Sequence, residues 1–174
     1  MQFAKDSFFL ALQSRLASLN PARTVTVNGA TVPAVVVAEN LPPFSAEPQP
    51  NAFYLEWGAA GVVDGHAGSS ALMSLDCAIS YYSFGTAESM VDRGRVLGQL
   101  DDELLGICQP PSTEKRDYTQ APSADLGTQV FWSQPVFEEK QRSALVGEAE
   151  RHPDGRVERQ ARVTIFFFSE VTLS

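Results

Sequence analysis

Gly58–Ser70 holds four glycines, and a glycine-rich loop can cradle phosphate because its bare backbone amides approach an anion closely. This segment lacks the Gly-Lys-Ser/Thr ending that supplies the charged and hydroxyl groups. No apolar helix pattern directly follows it, so phosphate binding is not expected there. Asp64 and His66 offer half of a metal site. The other histidine, His152, falls in a distant turn, and both read as solvated loop residues. Cys77 and Cys108 have no CxxC spacing. They read as buried thiols acting as small apolar side chains, in preference to a disulfide or a metal site. No serine occupies a Gly-x-Ser-x-Gly elbow, and no Cys–His pair is suggested by context. Most carboxylates neighbour Lys or Arg, which favours solvated ion pairs over an acid/base dyad. The expectation is a chain that is not an enzyme, with no catalytic residue, no metal ligand set and no cofactor.

The chain has 174 residues, of which 44% are hydrophobic, enough for one domain with an ordinary core. No apolar run approaches the ~18 residues of a membrane span; the longest patches, Val35–Ala38 and Ile165–Phe168, have strand length. Met1–Asp6 lacks a basic segment leading into an apolar stretch, so no signal peptide and a cytoplasmic location are expected. The formal net charge is −8, and the basic residues are dispersed beside acids, as in Glu138-Glu139-Lys140. Direct, sequence-specific nucleic-acid binding is therefore not expected, whereas a basic protein surface suits the charge.

The positioning elements follow from periodicity. Phe8, Leu12, Leu16 and Leu19 recur at helical spacing, with Asp6 or Ser7 as the expected cap and Asn20-Pro21 as the stop. Arg23–Val27 and Thr31–Ala38 flank Asn28-Gly29, a hairpin turn. The proline-rich 39–51 stretch reads as an irregular crossing, Ala52–Trp57 as a strand and Gly58–Ser70 as a loop. Leu72–Ser83 alternates as a strand, with Met73, Leu75, Cys77, Ile79 and Tyr81 on one face. A helix from Thr86 to Cys108 buries Leu97, Leu100, Leu104 and Ile107. Its Gly94 and Gly98 are accounted for by close approach to a sheet. Gln109–Gly127 reads as a long polar loop and Thr128–Phe137 as a strand. Arg156–Val171 is a very long strand, apolar on both faces in its second half, as a strand covered on each side would be. Its first half, polar on both faces, is expected to project as an arm paired with Arg142–Arg151.

The fold class predicted is α+β: a mainly antiparallel sheet with two helices packed on it and a projecting β-hairpin arm, all in one domain over 1–174. The 113–127 loop and the 139–156 arm carry charges of both signs, so they are the expected subunit contacts. Lys115, Arg116 and Asp117 belong to the loop; Lys140, Arg142, Glu148, Glu150, Arg151 and Arg156 belong to the arm.

In Phe8–Leu19, Leu72–Gln109 and Thr128–Val171, this order of elements resembles the tail terminator (tail completion) proteins of long-tailed phages and contractile injection systems. The nearest local likeness is Leu75–Ser83 feeding Ala87–Ile107, a strand leading into a long helix with an acidic end. The family has no short signature motif. The resemblance implies a homo-oligomeric ring, generally six-fold, that caps the tail tube and stops its polymerisation. It also implies tail tube protein, sheath protein in a contractile tail, and head-completion or connector protein as partners. Such a subunit assembles in the cytoplasm and ends in the virion tail. Two other roles suit the same residues: another neck or head–tail connector subunit, and a small-molecule-binding α+β domain.

Overall fold

The computed structural model describes residues 1–40, 48–65, 70–84, 95–138 and 156–172. The first helix, α1 (Gln2–Leu19), begins a turn before the expected cap. Ser7 is mid-helix and buried; its hydroxyl donates to the Phe3 carbonyl (2.7 Å) and accepts from the Arg116 amide (3.0 Å). A serine that can bond back one turn is not confined to a cap. The helix ends where the Asn20 amide bonds Leu16 O, with Asn20 in an extended conformation ahead of Pro21.

The hairpin pairs β1 (Thr24–Val27) with β2 (Ala30–Pro33) as a small separate sheet. Asn28 (φ 50°) and Gly29 (φ 79°) take the two positive φ values that this turn demands. The second strand stops short of the expected Ala38. After Ala34, β3 (Val35–Val37) leaves the hairpin and pairs in parallel with β4 (Phe53–Asp64). All three valines of β3 are buried, so burial against the main sheet overrides continuation of an exposed hairpin.

β4 runs seven residues past the expected strand, through glycines and alanines read as a loop. It pairs antiparallel with β5 (Ser70–Phe84), with register shifts after Trp57 and after Val62. Gly58 sits at the first shift, where an added Cβ would lie 3.2 Å from Asp76 Cβ, so a bulge with no side chain fits there. Small residues marked a bulged edge strand, not a loop.

Gln109–Gly127 is likewise not a long loop. It contains β6 (Ser112–Asp117) and most of the first half of β7 (Ala124–Trp132), an antiparallel hairpin. The principal sheet runs β3-β4-β5-β9-β7-β6, where β9 is Arg156–Thr172, and the short β8 (Val136–Glu138) also pairs with β9. The outer edge of β6 is guarded by α1: Ser7 takes the Arg116 amide, and Arg15 donates to Ser112 O at 2.8 Å.

The second helix, α2, is described over Arg95–Ile107, with Leu97, Leu100, Leu104 and Ile107 buried as expected. Among the described residues nothing lies within 4 Å of where a Cβ on Gly98 would stand, so close packing against them does not account for it. Gly94 lies outside the described residues. Both helices cover one face of the sheet, in one core with Cys77, Ile79, Val163 and Ile165. Phe8 stands edge-on between Trp132 (5.0 Å between centroids) and Trp57 (6.4 Å). The fold is α+β. Among the described residues no helix is long and apolar enough to cross a membrane.

Candidate assembly surface

Strand alternation assigns the other face of the sheet. Directly opposed pairs share a face, so Leu72 and Phe168 stand together, as do Ser74, Phe166 and Phe131, and Ala78 and Arg162. This face is apolar at one end and polar at the other. At the apolar end Phe131 and Phe166 are half-buried and Phe168 is 38% exposed; Val136, further along on β8, is 64% exposed. The second half of β9 was expected to be covered on both sides. Among the described residues it is covered on one: Ala161, Val163, Ile165 and Phe167 are buried, while Arg162 and Phe168 are exposed. The first half of β9 does not project freely either. Arg156–Gln160 pairs along its length with Ser80–Phe84 of β5. The remainder of the expected arm, with Lys140, Arg142, Glu148, Glu150 and Arg151, lies outside the described residues, as do His66 and His152.

Of the contact residues expected on a polar loop, Lys115 and Asp117 are buried and occupied within the chain. Lys115 Nζ donates to Phe168 O (2.6 Å) and pairs with Glu170 (2.9 Å). Burial alone would raise the Glu170 carboxyl. Hydrogen bonds from the Met1 ammonium and Lys115 outweigh it and hold the group at about 2. Asp117 caps the β6–β7 turn, accepting from the Thr119 amide (2.9 Å), the Thr119 hydroxyl (2.6 Å) and Gln120 Nε2 (2.7 Å). Those bonds hold its carboxyl below the ordinary aspartate range. Neither side chain is presented to a neighbour, because an edge strand buried under α1 turned them inward. Arg116 is half-exposed, 3.7 Å from Glu114.

Arg156, the first residue of β9, lies with its guanidinium 3.8 Å from the Tyr82 ring centroid and 2.6 Å from Glu158. It borders a cavity of about 220 Å³ at the polar end of the open face. Tyr54 and Tyr82 wall this cavity, and Ser80 and Gln160, opposed across β5 and β9, lie at its floor. Tyr82 OH donates to Pro48 O, and Tyr54 OH is bonded to the Gln49 backbone, which pins both rings. Burial pushes the Tyr54 phenol above its ordinary value.

Elsewhere the ionisable groups serve structure. Asp101 on α2 accepts from Tyr81 OH and pairs with Arg159, joining the helix to β5 and β9. Glu103 pairs with Arg23 and accepts from Asn20. Cys77 and Cys108 are free and buried, and burial pushes the Cys108 thiol up to about 12. Among the described residues no group of three His, Cys, Asp or Glu side chains could hold a metal. The open sheet face escaped sequence reasoning because its aromatics alternate just as core residues do. The polar partners Ser74, Asp76 and Thr164 in neighbouring rows were the available signal. Compared with known proteins, the chain matches no protein-family model and no curated protein.

Proposed function

We propose that this chain is a structural assembly subunit and not an enzyme: a tail terminator that closes into a six-fold ring, caps a tail tube and presents a surface to head-completion proteins. Support comes from one observation above the rest, a sheet face that no described element covers, with Leu72, Phe131, Phe166 and Phe168 at one end and charged residues at the other. A contiguous apolar patch rimmed by polar groups marks a protein contact more often than idle surface. Rings of small domains need heterologous contacts, in which one face of each copy meets a different face of the next. The resemblance in element order supplies the specific role, and the −8 charge suits basic partner surfaces.

The test is assembly. Analytical ultracentrifugation of the purified chain, alone and with its tail tube protein, is expected to show a ring mass. Phe168→Glu, an exposed substitution, is expected to leave a folded monomer that does not form rings. Tails assembled with that variant are expected to be overlong or unjoined to heads. Tails of normal length joined to heads would overturn the role, and normal tails lacking heads would point to a connector subunit instead.

A further inference from the structure

We propose that the cavity between Tyr54 and Tyr82 is a docking pocket for a cationic side chain, an arginine, from a basic segment of a partner protein. This deepens the assembly role and rests on it: the pocket is one contact of the open face.

Size and chemistry both select the occupant. At about 220 Å³ the cavity lies below the ~300–1,000 Å³ of ordinary small-molecule sites, which fits one side chain and not a whole ligand. Its walls are tyrosine rings, whose faces attract cations. The fold already stacks a guanidinium here, since Arg156 lies over Tyr82 beside Glu158. Arg156 is paired with Glu158, and Arg159, which also lines the cavity, is paired with Asp101 on α2, so the charge left over at the pocket comes from Glu56. Glu56 lines the cavity and is exposed on β4 opposite Ala78. The pocket is therefore acidic, aromatic and rigid, because the Tyr54 and Tyr82 hydroxyls are tied to the Pro48–Gln49 backbone. Rigid walls lower the ordering cost of docking, and arginine is among the residues that most often anchor protein interfaces in such pockets.

The test uses the whole chain and a short probe, acetyl-Gly-Arg-Gly-amide, followed by amide chemical shifts. Saturable shifts at Glu56, Ser80 and Gln160 are expected. The peptide with citrulline in place of arginine, nearly the same shape without the charge, is expected to bind at least tenfold more weakly. Glu56→Gln is expected to weaken the arginine peptide by a similar factor while leaving the melting temperature unchanged. Equal binding of the citrulline peptide would overturn the proposal. So would unsaturable shifts scattered over acidic surface, or full affinity in Glu56→Gln. Ring mass is read separately, so loss of peptide binding with rings intact removes this pocket and not the assembly role.

Discussion

Arg15 lies over the ring of Trp132, 5.1 Å from its centroid, and donates to the carbonyls of Ile107 (3.0 Å), Pro110 (2.7 Å) and Ser112 (2.8 Å). One guanidinium thus closes the last turn of α2, holds the chain leaving it and starts β6, while α1 supplies its backbone. A planar fork can do this because its donors sit on separate nitrogens, Nη1 toward Ile107 and Pro110 and Nη2 toward Ser112; the three donors of an ammonium all leave one nitrogen and span less. Arg15→Ala is expected to cost about 2–3 kcal/mol, the scale of hydrogen bonds to a charged group. Arg15→Lys should recover less than half of that. Urea midpoints at constant slope would measure both.

Leu104 is fully buried in the core, and Leu104→Ala is expected to cost about 2–5 kcal/mol. Gly98, on the same helix, has open space where a Cβ would go. Gly98→Ala is accordingly expected to stabilise by about 0.5–1 kcal/mol, through helix propensity and a less flexible unfolded chain. A destabilising result at Gly98 would show that another surface packs there.

The helices, the Asn28-Gly29 turn, the faces of β5 and the buried stripe of α2 were legible because each writes its period into the sequence. Three features were not. Gly58–Asp64 is a strand whose bulge requires small residues, and small residues in sequence look like a loop. Ser112–Asp117 is a strand whose Lys115 turns inward to partners far away in sequence, Phe168 and Glu170, while Asp117 is taken up by Thr119 and Gln120 of the turn that follows. Phe166 and Phe168 alternate like core residues yet face outward, since period-2 patterning tells one face from the other without saying what covers either. Of the expected contact residues, Arg116 and Arg156 stand half-exposed, and Arg156 borders the cavity that Tyr54, Glu56 and Tyr82 also line.

Glu170 makes acid stability predictable in sign. Its carboxyl is depressed from an ordinary 4.5 to about 2 in the folded chain. A carboxyl with a lower folded value contributes stability that is fully present above the unfolded value and lost as pH falls through the folded one. The native chain is therefore expected to lose stability between about 4.5 and 2, and Glu170→Gln to flatten that part of the curve. Denaturant titrations at several pH values would check it; an unchanged slope in the variant would rule out this ion pair as the cause.

Cys77 and Cys108 are both buried, and burial raises both thiols far from the range in which thiolate forms. Neither is expected to react with a disulfide reagent at pH 8 in the folded state, and both should react once denaturant is added. Rapid labelling of either without denaturant would reveal local opening around it.

The two borders of the long sheet are unlike in a way that bears on solubility. At β6 the helix α1 occupies the border groups through Ser7 and Arg15. On the other side the border is the three-residue β3 and, beyond it, β4, which is kinked by irregular pairing after Trp57 and again after Val62. A sheet grows into a fibre when a straight, unoccupied border of one molecule templates the border of the next. Among the described residues one border is filled and the other is short and bent, so neither is a long straight template for stacking by its backbone. In the proposed ring, contact between copies would then run through side chains, which can specify a fixed number of neighbours where a backbone template would start an endless ribbon.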